Sequence, residues 1–537
     1  MEVSLILWSL VALTLTGCTE KFPKRPNAAH SSKKAEAGTA ATAMATKRTG
    51  GTPVLQHQNS PARDGLYIDP ILSKNTASAL RLDPAFIAKL DGPVYAQPLY
   101  FPSAQTPGGL RDLIIISTER NLVHAIEASS GANVWSQTLG APVPREHLPC
   151  GNIDPVGITG TPIIDPESRT LFVNAMTTPD GGVTKKHLIF AISVDDGTIR
   201  AGWPVDVAES ARFKRFSFDP SVQNQQGALA LIGDTLYVPY TGHHGECGNF
   251  HGWVIAVSIS DPGIVKSWAT RARGGGVWAP AGITSDGTSA FIATGSTFGV
   301  SAWNDGQAIL RLDTNAAFKR NRTNFFTPKN WRSLDTRDRG LGGTAPTPFD
   351  VPNSNPSELL ISIGKNGIAY LVNRDRLGGV GKQVFAKRVT TSSAIAAIAK
   401  YESPYGSYLV FNGRGIGCPG DQPGDLTAIK VSPGTPPKVR IAWCANQNGL
   451  GSPIVSSPDG RSDAIVWTVG PADGTGPGTE GSQQLKAFDG ETGEVLFAGG
   501  GPADRIFGVQ RHQSPIIVNG RIYVVGRDRL FAFSVAP

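Results

Sequence analysis

The sequence predicts an all-β protein, an eight-bladed β-propeller, and three observations carry that expectation. Gly 63 and Pro 40 make up about a fifth of the 537 residues. Each of them inside a helix costs roughly 1 to 3 kcal/mol, so long helices are excluded. The chain is 40% hydrophobic with Trp 10, Tyr 10 and Phe 22, enough apolar material for a real core and too much for wholesale disorder. Third, it repeats itself from residue 95 onward. A small-residue strand, often with Pro, precedes an aliphatic strand, then a strand ending near Ala-x-x, then a Trp or Phe. Short strands at one long, regular period read as a propeller.

Taken in order, the chain opens with its only long apolar run, Leu5 to Leu15. That run is too short to span a bilayer and fits the apolar region of a signal peptide. Leu15-Thr16-Gly17-Cys18 follows. It resembles the lipobox of bacterial lipoproteins, which implies that Cys18 becomes the lipidated first residue of the mature protein. The segment Met1-Glu2-Val3-Ser4 departs from the usual pattern in having no Lys or Arg. Thr19, rather than Asp, after the Cys resembles lipoproteins of the outer membrane, so the expected location is the cell envelope, on the outer membrane facing the periplasm.

Residues 19–50 are rich in Ala, Thr, Lys and Pro without apolar periodicity, the composition of a disordered tether. The expected organisation is a signal peptide over 1–18, a basic tether over 19–65 and the propeller over 66–537. The tether also accounts for most of the formal net charge of +7, since Lys21, Lys24, Arg25, Lys33, Lys34, Lys47 and Arg48 face only Glu20 and Glu36. The remainder is close to neutral, which removes the footing for a nucleic-acid partner. A basic tether beside a lipidated Cys suits an anionic membrane.

Eight first-strand segments follow, from Gln97-Pro98-Leu99 through Gly160-Thr161-Pro162 to Ser514-Pro515-Ile516. The eighth repeat stops after three strands, and Ala85 to Leu90 is expected to supply its outer strand, closing the ring so that no long edge is exposed. Trp135, Trp203, Trp268 and Trp443 read as packing residues between blades. Five loops between second and third strands are long, at 177–186, 241–252, 295–306, 413–424 and 470–482. All fall on one face, the usual place for function on a rigid scaffold.

Cys150, Cys247, Cys418 and Cys444 fall on that same face. An even number in an exported chain favours disulfides, and of three connectivities the local one, Cys150–Cys247 and Cys418–Cys444, is preferred. No Cys-x-x-Cys-His haem attachment motif is present. A zinc site built from His243, His244, Glu246, Cys247 and His251 matches no common closed spacing and competes with a disulfide for Cys247.

The pattern Ala-x-(Asp)-x-x-x-Gly-x-x-x-Trp resembles the tryptophan repeats of the quinoprotein alcohol dehydrogenase-like superfamily, over roughly residues 85–537. That superfamily includes redox enzymes and non-enzymatic lipoproteins, so the resemblance speaks to fold more than to function. Three segments resemble the parts of its members that bind pyrroloquinoline quinone (PQQ). Gly274-Gly275-Gly276-Val277-Trp278 resembles the Gly-rich segment whose Trp forms a floor beneath the quinone. Gly364-Lys365-Asn366-Gly367-Ile368-Ala369-Tyr370 resembles the turn whose Lys contacts it. Gly242-His243-His244-Gly245-Glu246-Cys247-Gly248 resembles the loop with a calcium-ligating Glu. Asp335 and Asp338 lie near the position of the family's catalytic Asp.

Two positions depart from the family. Its adjacent Cys pair corresponds to Cys150-Gly151, and its calcium-ligating Asn corresponds to Ser296, a shorter and weaker ligand. Two functions therefore compete. The first is a binding or scaffolding module presenting its long-loop face to an envelope protein, peptide or glycan. The second is a periplasmic PQQ- and calcium-dependent dehydrogenase of an alcohol or sugar, with Trp278 and Lys365 on the cofactor, Glu246 and Ser296 on the metal, and Asp335 or Asp338 in catalysis.

Overall fold

The computed structural model describes residues 51–422, 424–472 and 481–535. The signal peptide, Cys18 and residues 19–50 of the tether lie outside them. Eight antiparallel sheets form the eight blades, at 99–138, 163–206, 230–269, 284–327, 347–388, 399–445, 454–497 and 516–535. In each blade the strands follow one another from the innermost outward, and alternate residues pack against the next sheet, so the core is divided among the spaces between blades. Among the described residues no helix is long and apolar enough to cross a membrane.

The Gly-x-x-x-Trp pattern has a physical cause at the blade junctions. Trp135, on the outer strand of the first blade, donates its indole N–H to Val194 O of the second at 3.0 Å. Its ring lies where a β-carbon on Gly197 would come within 2.7 Å. Trp443, on the outer strand of the sixth blade, repeats the arrangement against the seventh, donating to Gly490 O at 2.8 Å and packing against Gly493. Only glycine leaves room for the neighbour's indole, and Gly197 and Gly493 also sit at positive φ, 76° and 75°.

Ring closure uses more chain than expected. Ala88–Lys89, within the expected segment, pairs antiparallel with Leu530 and Arg529. Leu80–Leu82 extends the same edge, pairing with Val535, Ser534 and Phe533. The last blade thus gets its fourth strand from two short pieces of N-terminal chain.

A larger correction concerns residues 51–65, expected within the disordered tether. They fill the centre of the ring. Val54 bridges to Tyr100 of the first blade, Leu55 O accepts from Ile164 N of the second, and Pro61 O from Ser285 N of the fourth. Asp64 O and Gly65 O accept from Lys400 N and Val455 N of the sixth and seventh blades. Leu66–Ile68 then runs parallel to the inner strand Ile454–Ser457. At the turn of this plug Arg63 is fully buried and donates to four oxygens: Ile283 O, Leu229 O, His57 O and Gln56 Oε1. With no carboxylate among these partners, burial lowers its pKa to about 9. The plug is held by backbone and amide hydrogen bonds instead of an apolar stripe, so apolar periodicity was silent about it.

Both cystine bridges, Cys150–Cys247 and Cys418–Cys444, are formed.

Candidate functional site

A cavity of about 440 Å³ opens at the centre of the long-loop face. Its walls are the links that lead into each inner strand and the loops between second and third strands, and the plug's His57 contributes to its lining. The ring therefore carries a closed-bottomed pocket instead of a through-channel.

Trp278, Lys365, Glu246 and Asp338 all line this cavity. The Trp278 indole is seated against two glycines, since a β-carbon on Gly295 or Gly342 would lie 2.9 and 3.0 Å from its Nε1. Gly274, at φ +88°, is required for a different reason: a β-carbon there would meet Ser296 O at 2.5 Å. The Gly-rich segment is thus the condition for holding the indole where it is.

Lys365 projects from the tight turn 364–367, in which Asn366 Oδ1 accepts from Ile368 N at 3.0 Å and Asn366 Nδ2 donates to Tyr370 Oη at 3.1 Å. Its backbone N–H donates to Gly340 O at 2.8 Å, tying the turn to the link that carries Asp338. Lys365 Nζ lies 3.1 Å from Asp338 Oδ2 and 5.0 Å from the centroid of the Trp278 ring. Cation, carboxylate and aromatic face therefore form one unit.

Glu246 stands beside the disulfide. Its loop is fixed by Cys247, and a β-carbon on Gly245 would come within 3.3 Å of Cys150 Sγ. Burial raises the Glu246 pKa, and repulsion from Asp338 adds to it. Glu246 and Asp338 also share a left-handed backbone, φ 56° and 46°, uncommon for residues with a side chain and frequent at ligand sites.

The other two expected residues are committed elsewhere. Asp335 does not line the cavity: its carboxylate accepts from Thr297 N at 3.0 Å, Thr297 Oγ1 at 2.7 Å and Gln307 Nε2 at 2.9 Å. It braces the loop after Ser296. Ser296 Oγ donates to Asp338 Oδ1 at 3.2 Å and accepts from Gln307 Nε2 at the same distance. Among the described residues no group of three or more His, Cys, Asp or Glu could hold a metal ion. The donors present fit a flat, negatively charged ring over Trp278, with Glu246 and Asp338 as the two carboxylates that line the cavity. The zinc arrangement around Cys247 is absent, the thiol being in a disulfide.

Across the ring the cavity is lined by residues that motif reading missed: Tyr95, Thr159, Arg511, His512 and, from the plug, His57. Arg511 meets the Asn152 carboxamide oxygen at 2.9 Å and has no carboxylate partner among the described residues. Burial lowers the His512 pKa to about 3, with Arg511 contributing, and that of His243 to about 4, with Arg145 contributing. His57 is lowered too, by burial and then by Arg63. His57 Nδ1, His243 Nε2 and His512 Nδ1 are buried without a protein partner. These neutral imidazoles offer hydrogen-bonding positions that nothing in the chain satisfies.

One signal could have found this wall. Tyr95, Thr159 and His512 each stand three residues before the Pro of their repeat, Pro98, Pro162 and Pro515. That repeat position faces the ring centre.

No family model matches the chain, and no curated protein matches it. Solved structures do. The quinohemoprotein alcohol dehydrogenase from Comamonas testosteroni superposes with a TM-score of 0.59 at 15% identity, over 92% of this chain and 81% of that one. The quinohemoprotein alcohol dehydrogenase ADHIIG from Pseudomonas putida HK5 gives 0.57 at 14%, over 90% and 80%. A europium-containing methanol dehydrogenase gives 0.60 at 12%, over 91% and 98%. The chain has the eight-bladed propeller fold of these quinoproteins.

Proposed function

We propose that the central cavity binds a flat, carboxylate-bearing quinone of the PQQ class, and that the protein serves as an exported dehydrogenase of an alcohol or sugar. The observation that carries this reading is the meeting of Trp278, Lys365, Glu246 and Asp338, from four separate segments, in one cavity. When bound, such a quinone supplies a two-electron acceptor, with the electrons passed on to a separate partner. The chain's own residues do the rest. Trp278 provides a planar floor, and Lys365 sets a positive charge beside it. Glu246, whose carboxyl is held above the usual range, is suited to take a hydroxyl proton from a substrate above the floor. Two disulfides fit an oxidising compartment.

The test is incubation of the purified protein with PQQ, with and without Ca²⁺, followed by absorbance of the retained quinone and a dye-linked dehydrogenase assay. Uptake abolished by Trp278→Ala and Lys365→Ala supports the reading, and absence of uptake ends it.

A second reading is favoured by the missing calcium donors. The long-loop face, braced by both disulfides, then serves as a binding module for an envelope protein, peptide or glycan. Failure of quinone uptake together with capture of a defined envelope partner, lost on shortening the 413–424 loop, supports it. Anchoring through Cys18 belongs to both readings. Cys18→Ser is expected to release the protein from the membrane fraction, and unchanged sedimentation with membranes overturns the anchor.

A further inference from the structure

A second cavity, of about 540 Å³, lies on the outer rim between the third and fourth blades, away from the centre. Its lining holds Arg212, Lys214, Lys266 and Arg271 and no Asp or Glu. The folded part of the chain is nearly neutral overall, so four basic residues lining one cleft are a local feature rather than a reflection of net charge. Among the described residues Arg212, Lys214 and Lys266 form no ion pair; Arg212 Nη1 donates to Ala208 O and Ala211 O, which leaves its charge without a counter-ion. Arg271 shares the fully buried Asp305 with Arg320, at 3.6 and 3.5 Å, so one carboxylate stands against two guanidiniums.

The cleft is built by an addition to the propeller. Before the third blade the chain makes an extra hairpin, Arg212–Phe213 against Phe216–Ser217. It is pinned to the outer strand of that blade, where Ser267 Oγ donates to Arg212 O at 2.7 Å. Its two-residue tip is Lys214-Arg215, and Lys214 takes φ 55°, a position that hairpins normally give to Gly or Asn. A lysine held there against local preference sits at the mouth of a cationic cleft. The apolar side of the same cleft is formed by Phe213, Val265, Trp268 and Phe318.

We propose that this rim cleft is a binding site for a phosphate-bearing ligand. A carboxylate brings one negative charge to this cluster of cations, whereas a phosphate monoester brings nearly two, with three acceptor oxygens suited to the guanidinium fork. The aromatic wall takes the apolar or sugar portion attached to the phosphate. The phosphate comes either from a soluble ester or from a lipid headgroup, and the site is independent of the central cavity.

The test uses the full chain and two probes: inorganic pyrophosphate by calorimetric titration, and phosphatidylcholine vesicles with or without phosphatidic acid, whose headgroup is a monoester, by co-sedimentation. The double variant Lys214→Glu/Lys266→Glu carries the same basic tether, so any difference from wild type reports the cleft. Wild type is expected to bind at least one probe at low salt, more weakly as salt rises, and the variant at least tenfold more weakly. Binding of pyrophosphate alone assigns a soluble ester; binding of the anionic vesicles alone assigns a headgroup. No binding of either probe, or equal binding by wild type and variant, overturns the proposal. Should the double variant fail to melt cooperatively, Lys266→Gln is read in its place, with a severalfold loss expected and none overturning the site.

Discussion

On one wall of the central cavity, Trp278 and Asp338 from two neighbouring blade junctions and Lys365 from a turn of the fifth blade are tied by an ion pair of 3.1 Å and a cation over a ring. On the wall across the ring, Tyr95, Thr159 and the adjacent pair Arg511-His512 come from three links that ring closure brings together. The first wall satisfies its own charges. The second holds an Arg without a carboxylate, imidazoles without partners and, just behind it, the buried Glu119. Polar groups left unsatisfied in a folded chain mark where a ligand is awaited, so the wall without a motif has the larger share of unmet chemistry.

The largest effect expected from breaking this contrast concerns Glu119. It is fully buried, accepts from Gly157 N at 2.7 Å, and has its second oxygen unpartnered. Burial pushes its pKa from 4.5 up to about 7. The folded value lies above the unfolded one, so the stability contributed by the protonated acid is fully present below about pH 4.5 and is lost as pH rises through about 7. The shift corresponds to about 3 kcal/mol. Glu119→Gln is therefore expected to raise the melting temperature above neutrality and to leave it unchanged in acid. A variant that melts like wild type from pH 4 to 8 would show that the carboxyl is already relieved by water.

On the facing wall, Trp278→Ala removes the floor. Stacking of a flat ring on an aromatic side chain contributes about 1–3 kcal/mol, so quinone affinity should fall roughly fivefold to 150-fold. Titration followed by quenching of tryptophan fluorescence or by quinone absorbance measures it. An unchanged affinity places the quinone elsewhere.

What was legible in the sequence follows the same division. Repeats, blade number and the local disulfides come from patterns that recur or lie close along the chain. Trp278 and Lys365 were legible because glycine and tight-turn chemistry surround them. Asp335 and Asp338 could not be told apart, because three residues of register decide which one faces the cavity and which one braces Thr297. The plug and Arg511 were not legible: Arg63 and the Gln58 amide nitrogen donate to carbonyls and a serine hydroxyl of distant blades, and no spacing encodes that.

Arg511→Gln addresses the unsatisfied wall directly. A guanidinium that meets only Asn152 is free to hold a ligand carboxylate, in a bond worth about 1 kcal/mol where solvent reaches it. Binding should weaken roughly fivefold, and Arg511→Lys should recover part of the loss because the charge remains. Equal loss in both variants would mean that geometry rather than charge is being read.

The smallest expected effect sharpens the contrast from the other side. Glu246 and Asp338 already face the cavity as hard oxygen donors, but Ser296 spends its hydroxyl on Asp338 and is too short to join them around an ion. Asn at this position extends a carboxamide oxygen into the same space and leaves Asp338 less encumbered. Ser296→Asn is therefore expected to create a Ca²⁺-dependent rise in melting temperature of about half a degree, corresponding to about 0.5 kcal/mol, where wild type shows none. A rise of equal size in wild type would reveal a third donor and return calcium to the first wall. No rise in the variant would show that Lys365, by neutralising Asp338, keeps this wall closed to cations whatever stands at 296.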